Sequence, residues 1–467
     1  MNNSIKSKKL PFIKKKNSPI LIIALGFLAV ILIGAFFLSL PVSNKDGDWL
    51  NFLNALFTST SAVCVTGLTV IDTTFSFTAF GHVVIILLIQ TGGLGVMGIA
   101  TLVFFAIRKK ITLTDRLAMQ QAVGDVPSSK IVGYIRNMVI TTVCIEAIGA
   151  IALMPALVSK FGASGIFKAV FISVSSFCNA GFDILGGTNN PMGSLTGYFD
   201  NVSVMLSVSF LIVLGGIGFW VILDVLSFRK KHRLMLHTKI VLIATAVILI
   251  LSTLFFLTAE WNNTLADMNF GQKLLNAFFM AVTPRTAGYY SVNVSQMTLF
   301  SRFFTVLLMF IGASPASTGG GIKITTAVIL LFMIFSGLKN QNRIVLDKRY
   351  ISSRIIMRAV AVAVIFILIA ITVTIGLMIT ESTNGALKTA GLYSLENLLF
   401  ETVSGLCTVG LTLNTTPLLS AGGKILIMLA MFLGRVGPLS IGLIFLKKIN
   451  SNIEEKIRYP EAMIIIG

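Results

Sequence analysis

The sequence predicts an all-α, polytopic membrane protein with eight transmembrane helices, arranged as four helix–pore-loop–helix repeats with pseudo-fourfold symmetry. Three observations lead there. The 467 residues are 55% hydrophobic and 12% charged, about half of the roughly 25% charge that a soluble surface carries. Apolar runs close to the ~20 residues needed to cross a hydrocarbon core of about 30 Å recur along the whole chain. Four glycines, Gly67, Gly181, Gly288 and Gly410, stand in similar short segments at spacings of 114, 107 and 122 residues.

The long apolar segments fall near 19–41, 79–107, 134–159, 198–228, 236–259, 301–337, 354–380 and 421–448. Within each successive pair lies a shorter mixed segment, at 48–64, 164–178, 270–283 and 392–405. These are too short to span as helices and fit re-entrant half-helices. Of the 37 Lys and Arg residues, 27 gather in five clusters: Lys6 to Lys16, Arg108 to Arg136, Arg229 to Lys239, Lys339 to Arg358 and Lys447 to Arg458. They follow only every second span, the pattern by which basic residues remain in the cytoplasm. Both termini are then cytoplasmic and all four units point the same way, unlike an inverted-repeat transporter.

The boundaries that follow are a basic cytoplasmic tail at 1–18, repeats at 19–110, 111–233, 234–349 and 350–448, and a C-terminal cytoplasmic tail at 449–467. The net charge of +19 is accounted for by this topology. No soluble basic domain with interleaved aromatics is present, so nucleic acid is not a partner. The apolar run 20–40 exceeds a signal-peptide core and has no small-residue cleavage site after it, so it reads as a retained first span. Cys64, Cys144, Cys178 and Cys407 have neither disulfide-framework nor zinc spacing.

Aligned on the four glycines, a phenylalanine stands ten residues earlier in each segment (Phe57, Phe171, Phe278, Phe400). A large apolar residue follows each glycine (Leu68, Phe182, Tyr289, Leu411), and three positions before it stand Cys64, Cys178, Arg285 and Cys407. Four like-oriented glycine loops imply a ring around one axis. Glycine permits φ > 0, so successive carbonyls can face an ion and replace its hydration shell. The C-terminal ends of the half-helices add partial negative charge there. The candidate filter is Val65, Thr66 and Gly67; Asn179, Ala180 and Gly181; Thr286, Ala287 and Gly288; and Thr408, Val409 and Gly410. The first and fourth triplets resemble the T-V-G-Y-G loops of potassium channels.

Each second span is expected to open on a cluster of small residues: 92–95, 215–218, 312–315 and 434–437. Close helix contact accounts for most of these. The third is different: Gly312, Ala313, Ser314, Pro315, Ala316, Ser317, Thr318, Gly319, Gly320 and Gly321 contain no large side chain, inside a 37-residue apolar segment. Proline and glycine break the helix there, and irregular backbone at membrane depth must be buried in protein or line a water-filled cavity. The run is the candidate gate. With little apolar surface and few regular backbone hydrogen bonds, it is expected to open easily. Arg435, at the middle of the last span, is expected to face the interior, with loop carbonyls or Glu146 as partners. Lys323 joins the gate or snorkels to the cytoplasmic surface.

These motifs resemble the Trk/Ktr/HKT superfamily of potassium transporters, and the match is nearest to the bacterial Ktr membrane subunit. It covers essentially the whole chain. It rests on the four glycines, the run from Gly312 to Lys323, Gly434-Arg435-Val436-Gly437, and the terminal Arg458-Tyr459-Pro460-Glu461 to Gly467. The resemblance implies potassium uptake across the bacterial cytoplasmic membrane, with K+ bound at the filter residues. It also implies a homodimer with one pore per chain, surrounded by membrane lipid. Regulation would come from a cytosolic KtrA-like RCK ring that binds ATP or ADP itself. Sodium-dependent uptake is common in the family, while relatives with serine for the first glycine pass Na+, and this chain has Gly67. An enzyme is not indicated: the sequence has no P-loop, no nucleophile elbow, and three histidines without metal-ligand spacing. A coupled secondary transporter is the alternative from another class.

Overall fold

The computed structural model describes residues 19–95, 131–186, 193–339, 344–346 and 349–437. The basic tail 1–18, most of the 108–136 cluster and the tail 449–467 lie outside the described residues. One sequence of elements occurs four times: a long helix, a short helix ending at a glycine loop, and a further helix. The first set is α1 (Pro19–Ser39), α2 (Phe52–Cys64) and α3 (Ala79–Leu94); the second is α4 (Ile131–Phe161), α5 (Ser164–Phe177) and α6 (Val202–Ile217), continued by α7 (Phe219–Leu226). The third is α8 (Leu236–Ala259), α9 (Phe270–Val282) and α10 (Leu299–Phe310), continued by α11 (Ile324–Leu338); the fourth is α12 (Ser353–Thr380), α13 (Leu395–Leu406) and α14 (Ala421–Val436). A hairpin of β1 (Val345–Leu346) and β2 (Arg349–Tyr350) precedes α12, a small departure from the all-α expectation.

The long helices face outward. Ile148 and Ile151 on α4, Ile243 and Ile250 on α8, and Ile371 and Ile375 on α12 are all exposed, as helices need to be where lipid is the solvent. The short helices are the core: residues 57–64 of α2 and 400–406 of α13 are buried throughout. Among the described residues, α4, α8 and α12 are long and apolar enough to cross a membrane, as is α6 with α7 taken as one bent span.

Side-chain caps start the last helix of each set. Thr78, Asn201, Thr298 and Ser420 accept from the backbone N–H of Gly81, Val204, Ser301 and Gly423, each worth about 1 kcal/mol. In the third and fourth sets the cap is itself held by a carboxylate at the end of the long helix. Glu260 accepts from the Thr298 N–H at 2.9 Å, and Glu381 from the Ser420 hydroxyl at 2.6 Å.

The small-residue clusters close these helices rather than open them. α3, α6 and α14 stop at Gly95, Gly218 and Gly437, with φ of 77°, 92° and 92°, a region open to glycine and closed to other residues. The second set breaks as well as the third, with α6 and α7 bent by 97° at Gly218. Helix contact, expected for that cluster, does not by itself account for this bend. Contact is also present: a methyl group at Gly92, Gly215 or Gly434 would collide with the carbonyl of Val63, Phe177 or Leu406, at the ends of α2, α5 and α13.

Candidate functional site

The four short helices deliver the four glycine loops to one place. In each loop the residue two before the glycine is left-handed: Val65 (φ 58°), Asn179 (58°), Thr286 (72°) and Thr408 (52°). The glycines follow at 96°, 69°, 74° and 94°. Non-glycine residues in that region carry strain of about 1–3 kcal/mol and persist where the surroundings fix them. Here buried hydroxyls do the fixing. The Ser61 hydroxyl accepts from Gly67 N–H at 3.0 Å and the Ser404 hydroxyl from Gly410 N–H at 3.1 Å. The Ser175 hydroxyl donates to Phe182 O at 2.7 Å, and that of Thr283 to Tyr289 O.

The third loop is one residue shorter than the glycine alignment indicates. Its counterpart of the serines, Thr283, lies five residues before Gly288, whereas Ser61, Ser175 and Ser404 lie six before theirs. The fully buried phenylalanine there is Phe279, alongside Phe57, Phe171 and Phe400, and Phe278 is only partly buried. The expected ten-residue spacing therefore picked the wrong neighbour in this segment.

The loops close on one another in chain order. A methyl group at Gly67 would lie 2.6 Å from Ala180 O, one at Gly181 2.8 Å from Ala287 O, and one at Gly288 2.8 Å from Val409 O. One at Gly410 would collide with Thr66 O. Each glycine thus faces the carbonyl before the next glycine, and the last returns to the first. The hydroxyls of Thr66 and Thr408 are buried without a hydrogen-bond partner, an arrangement normally disfavoured and suited to oxygens that meet a cation.

On one side of the ring is a cavity of about 60 Å³, lined by all four glycines together with Asp72, Asp183, Tyr290, Thr412 and Asn414. That is room for several waters. Burial pushes the Asp183 carboxyl up to about 6; the Leu185 N–H and Lys168 pull against this, while Asp72 adds to it.

On the other side lies 312–321. A methyl group on Gly319 would strike the Thr286 hydroxyl, and one on Gly320 that of Thr408, so the run packs directly against the ring. The break expected from the sequence is present, between α10 and α11. The run has few regular backbone hydrogen bonds, as expected, but long-range ones replace them. Gly312 N–H donates to Ile322 O at 2.9 Å, Ser314 N–H to Gly216 O at 2.9 Å, Ile324 N–H to Ala313 O at 3.1 Å, and Phe219 N–H to Ala316 O at 3.0 Å. The Thr318 hydroxyl donates to Phe177 O at 3.1 Å. Backbone that breaks a helix at depth has to find such partners.

Arg435 lies in the last turn of α14, which ends at Val436, and there its charge suits the helix dipole. Its guanidinium donates to Thr318 O and to Gly92 O. Glu146 is not its partner; that carboxylate accepts from Gln90 at 3.2 Å. Nor does Lys323 snorkel: its ammonium donates to Gly319 O at 2.7 Å. Sequence reasoning missed Gly92, Gly216 and Phe177 as anchors of the run, because they are 98 or more residues from the positions they hold.

An apolar helical protein in which four glycine loops close on one another beside a polar cavity has the form of a membrane transport protein. The TrkH family of cation transport proteins matches residues 14–457. The chain belongs to that family, and it is a cation transporter and not an enzyme. It is 39% identical to the potassium/sodium uptake protein NtpJ of Enterococcus hirae over 97% of this chain and 98% of that one. It is 38% identical to the Ktr system potassium uptake protein B of Bacillus subtilis, over 96% and 97%. The crystal structure of the potassium transporter TrkH from Vibrio parahaemolyticus has a similar fold, with a TM-score of 0.72 at 18% identity, covering 94% of this chain and 86% of that one.

Proposed function

We propose that this chain is the pore-forming potassium-uptake subunit of a Ktr-type system in the bacterial cytoplasmic membrane. On this reading the four sets of helices are eight crossings with both termini inside, around a pseudo-fourfold axis. K+ sheds its water into the ring formed by 65–67, 179–181, 286–288 and 408–410 and leaves past the gate 312–321, which Arg435 and Lys323 hold shut. The functional unit is a homodimer carrying a cytosolic RCK ring, and the ring binds the ATP or ADP. The observation that carries the reading is the closure of the four glycines in chain order, since a ring of carbonyls is how a protein replaces a hydration shell. The names of the two bacterial relatives support potassium as the cargo.

Gly67→Ser tests it. A side chain at φ 96° and 2.6 Å from Ala180 O must displace that carbonyl. The K+ over Na+ preference is expected to fall about tenfold, the scale of the 1–3 kcal/mol held by a strained left-handed residue. Paired K+ and Na+ uptake in a transport-deficient cell measures this, and unchanged preference in a well-expressed variant removes Gly67 from the filter.

A pH dependence follows from Asp183, whose carboxyl is raised to about 6 by burial. Above pH 6 it is charged and concentrates cations at the mouth; below, it is neutral. Uptake from low external K+ is expected to rise as external pH climbs through 6, and Asp183→Asn to remove that step. A variant that keeps the step would assign it to another group.

A further inference from the structure

We propose that Arg285 sets the strength with which the filter holds a cation, by neutralising the negative end of one of the four short helices that point at it. The inference rests on the reading of the glycine loops as the filter. Each helix end carries roughly half a negative charge. After α2, α5 and α13 the ends are marked by Cys64, Cys178 and Cys407, all buried and uncharged in kind. After α9 stands Arg285, whose backbone N–H donates to Val282 O at 3.2 Å. It therefore lies within one turn of the helix end, where a positive charge acts most strongly on the dipole.

Nothing else on hand cancels that charge. Arg285 is 7% exposed, and its Nη2 donates to Thr245 Oγ1 of α8 at 3.3 Å. Its Nε has no hydrogen-bond partner, and among the described residues it forms no ion pair. A cavity of about 10 Å³ beside it, lined also by Gly216 and Ala313, has room for one water at most. An uncompensated buried charge costs several kcal/mol, and packing alone would be served by an apolar side chain. Arg285 thus sets a fixed cation next in chain to Thr286 of the ring, at the position the cysteines hold in the other three loops. The result is a ring with three negative helix ends and one neutralised. Conduction needs binding weak enough to release the ion, and a fixed charge behind the ring weakens it.

The test is K+ uptake against external concentration in a transport-deficient cell, with membrane abundance measured for each variant. Arg285→Met and Arg285→Cys, the latter installing what the other loops carry, are expected to lower the apparent KM for K+ about fivefold, as partly screened loss of one nearby charge should. Maximal rate is expected to fall with it. Arg285→Lys keeps the charge and should keep KM within about twofold. An unchanged or raised KM in assembled Met or Cys variants overturns the proposal. So does a Lys variant that follows Met, which would make the effect one of shape. If Met and Cys do not assemble, Arg285→Gln decides in the same way; failure of all three while Lys assembles assigns Arg285 to folding and overturns the tuning role. Gly67→Ser in the same cells separates the two readings: if it leaves ion preference unchanged the filter reading fails, whereas a shifted preference with an unmoved Arg285 series sinks only this inference.

Discussion

Removal of residues 313–318 is expected to leave a transporter that conducts constantly and, on the proposed regulation, no longer answers to ATP or ADP on a partner ring. The shortened chain should still fold, because the base of the run is already closed. A methyl group at Gly312 would touch Gly321 Cα at 3.0 Å, and one at Gly321 would lie 3.1 Å from Gly312 Cα. Joining Gly312 to Gly319 therefore spans a short gap and leaves α10 and α11 in place. The deletion takes away Ser314 and Thr318, whose bonds to Gly216 and Phe177 hold the run against the ring. On the proposed gating, those bonds make the run more costly to displace than the sequence alone implied. Basal flux is therefore expected to rise tenfold or more, about the population that a bias of 1.4 kcal/mol keeps closed. Flux into proteoliposomes, with and without the partner and nucleotide, measures it. A folded, assembled variant with low basal flux and intact nucleotide response would show that the run is not the gate.

Arg435→Ala is expected to raise basal flux and to lower stability in detergent together. The guanidinium ties two distant carbonyls, Thr318 O in the run and Gly92 O at the end of α3. Bonds from a charged donor contribute about 1.5–3 kcal/mol each, so losing both should cost about 3 kcal/mol or more. That should appear as a melting temperature several degrees lower. The same change removes a positive charge from beside the ion path, which lowers the barrier to a cation. Arg435→Lys should recover part of the stability but not both bonds, since an ammonium lacks the guanidinium fork. A variant with wild-type flux and wild-type melting would detach Arg435 from the gate.

Much of this protein was legible locally. The long apolar runs marked α4, α8 and α12 within a few residues, since apolarity and length are properties of the chain itself. Pro315 and the glycines after it announced the break between α10 and α11. The glycine spacing marked all four loops, because at these positive-φ positions a neighbouring carbonyl leaves no room for a side chain. Gly218, by contrast, stood in a cluster like its neighbours, and nothing local distinguished a 97° bend from close packing.

The sequence by itself determined that the chain lives in a membrane, where its long outer helices run, and which four glycines recur. The tertiary structure alone decided the rest. It moved the third loop by one residue, buried Phe279 in place of Phe278, and closed the four glycines into a ring. It also gave Arg435 the carbonyls of Thr318 and Gly92 rather than the carboxylate of Glu146. The reason is physical. Helix length and glycine conformation are set by neighbours in the chain, whereas the ring and the Arg435 bonds join residues 106 or more apart and depend on how whole helices pack.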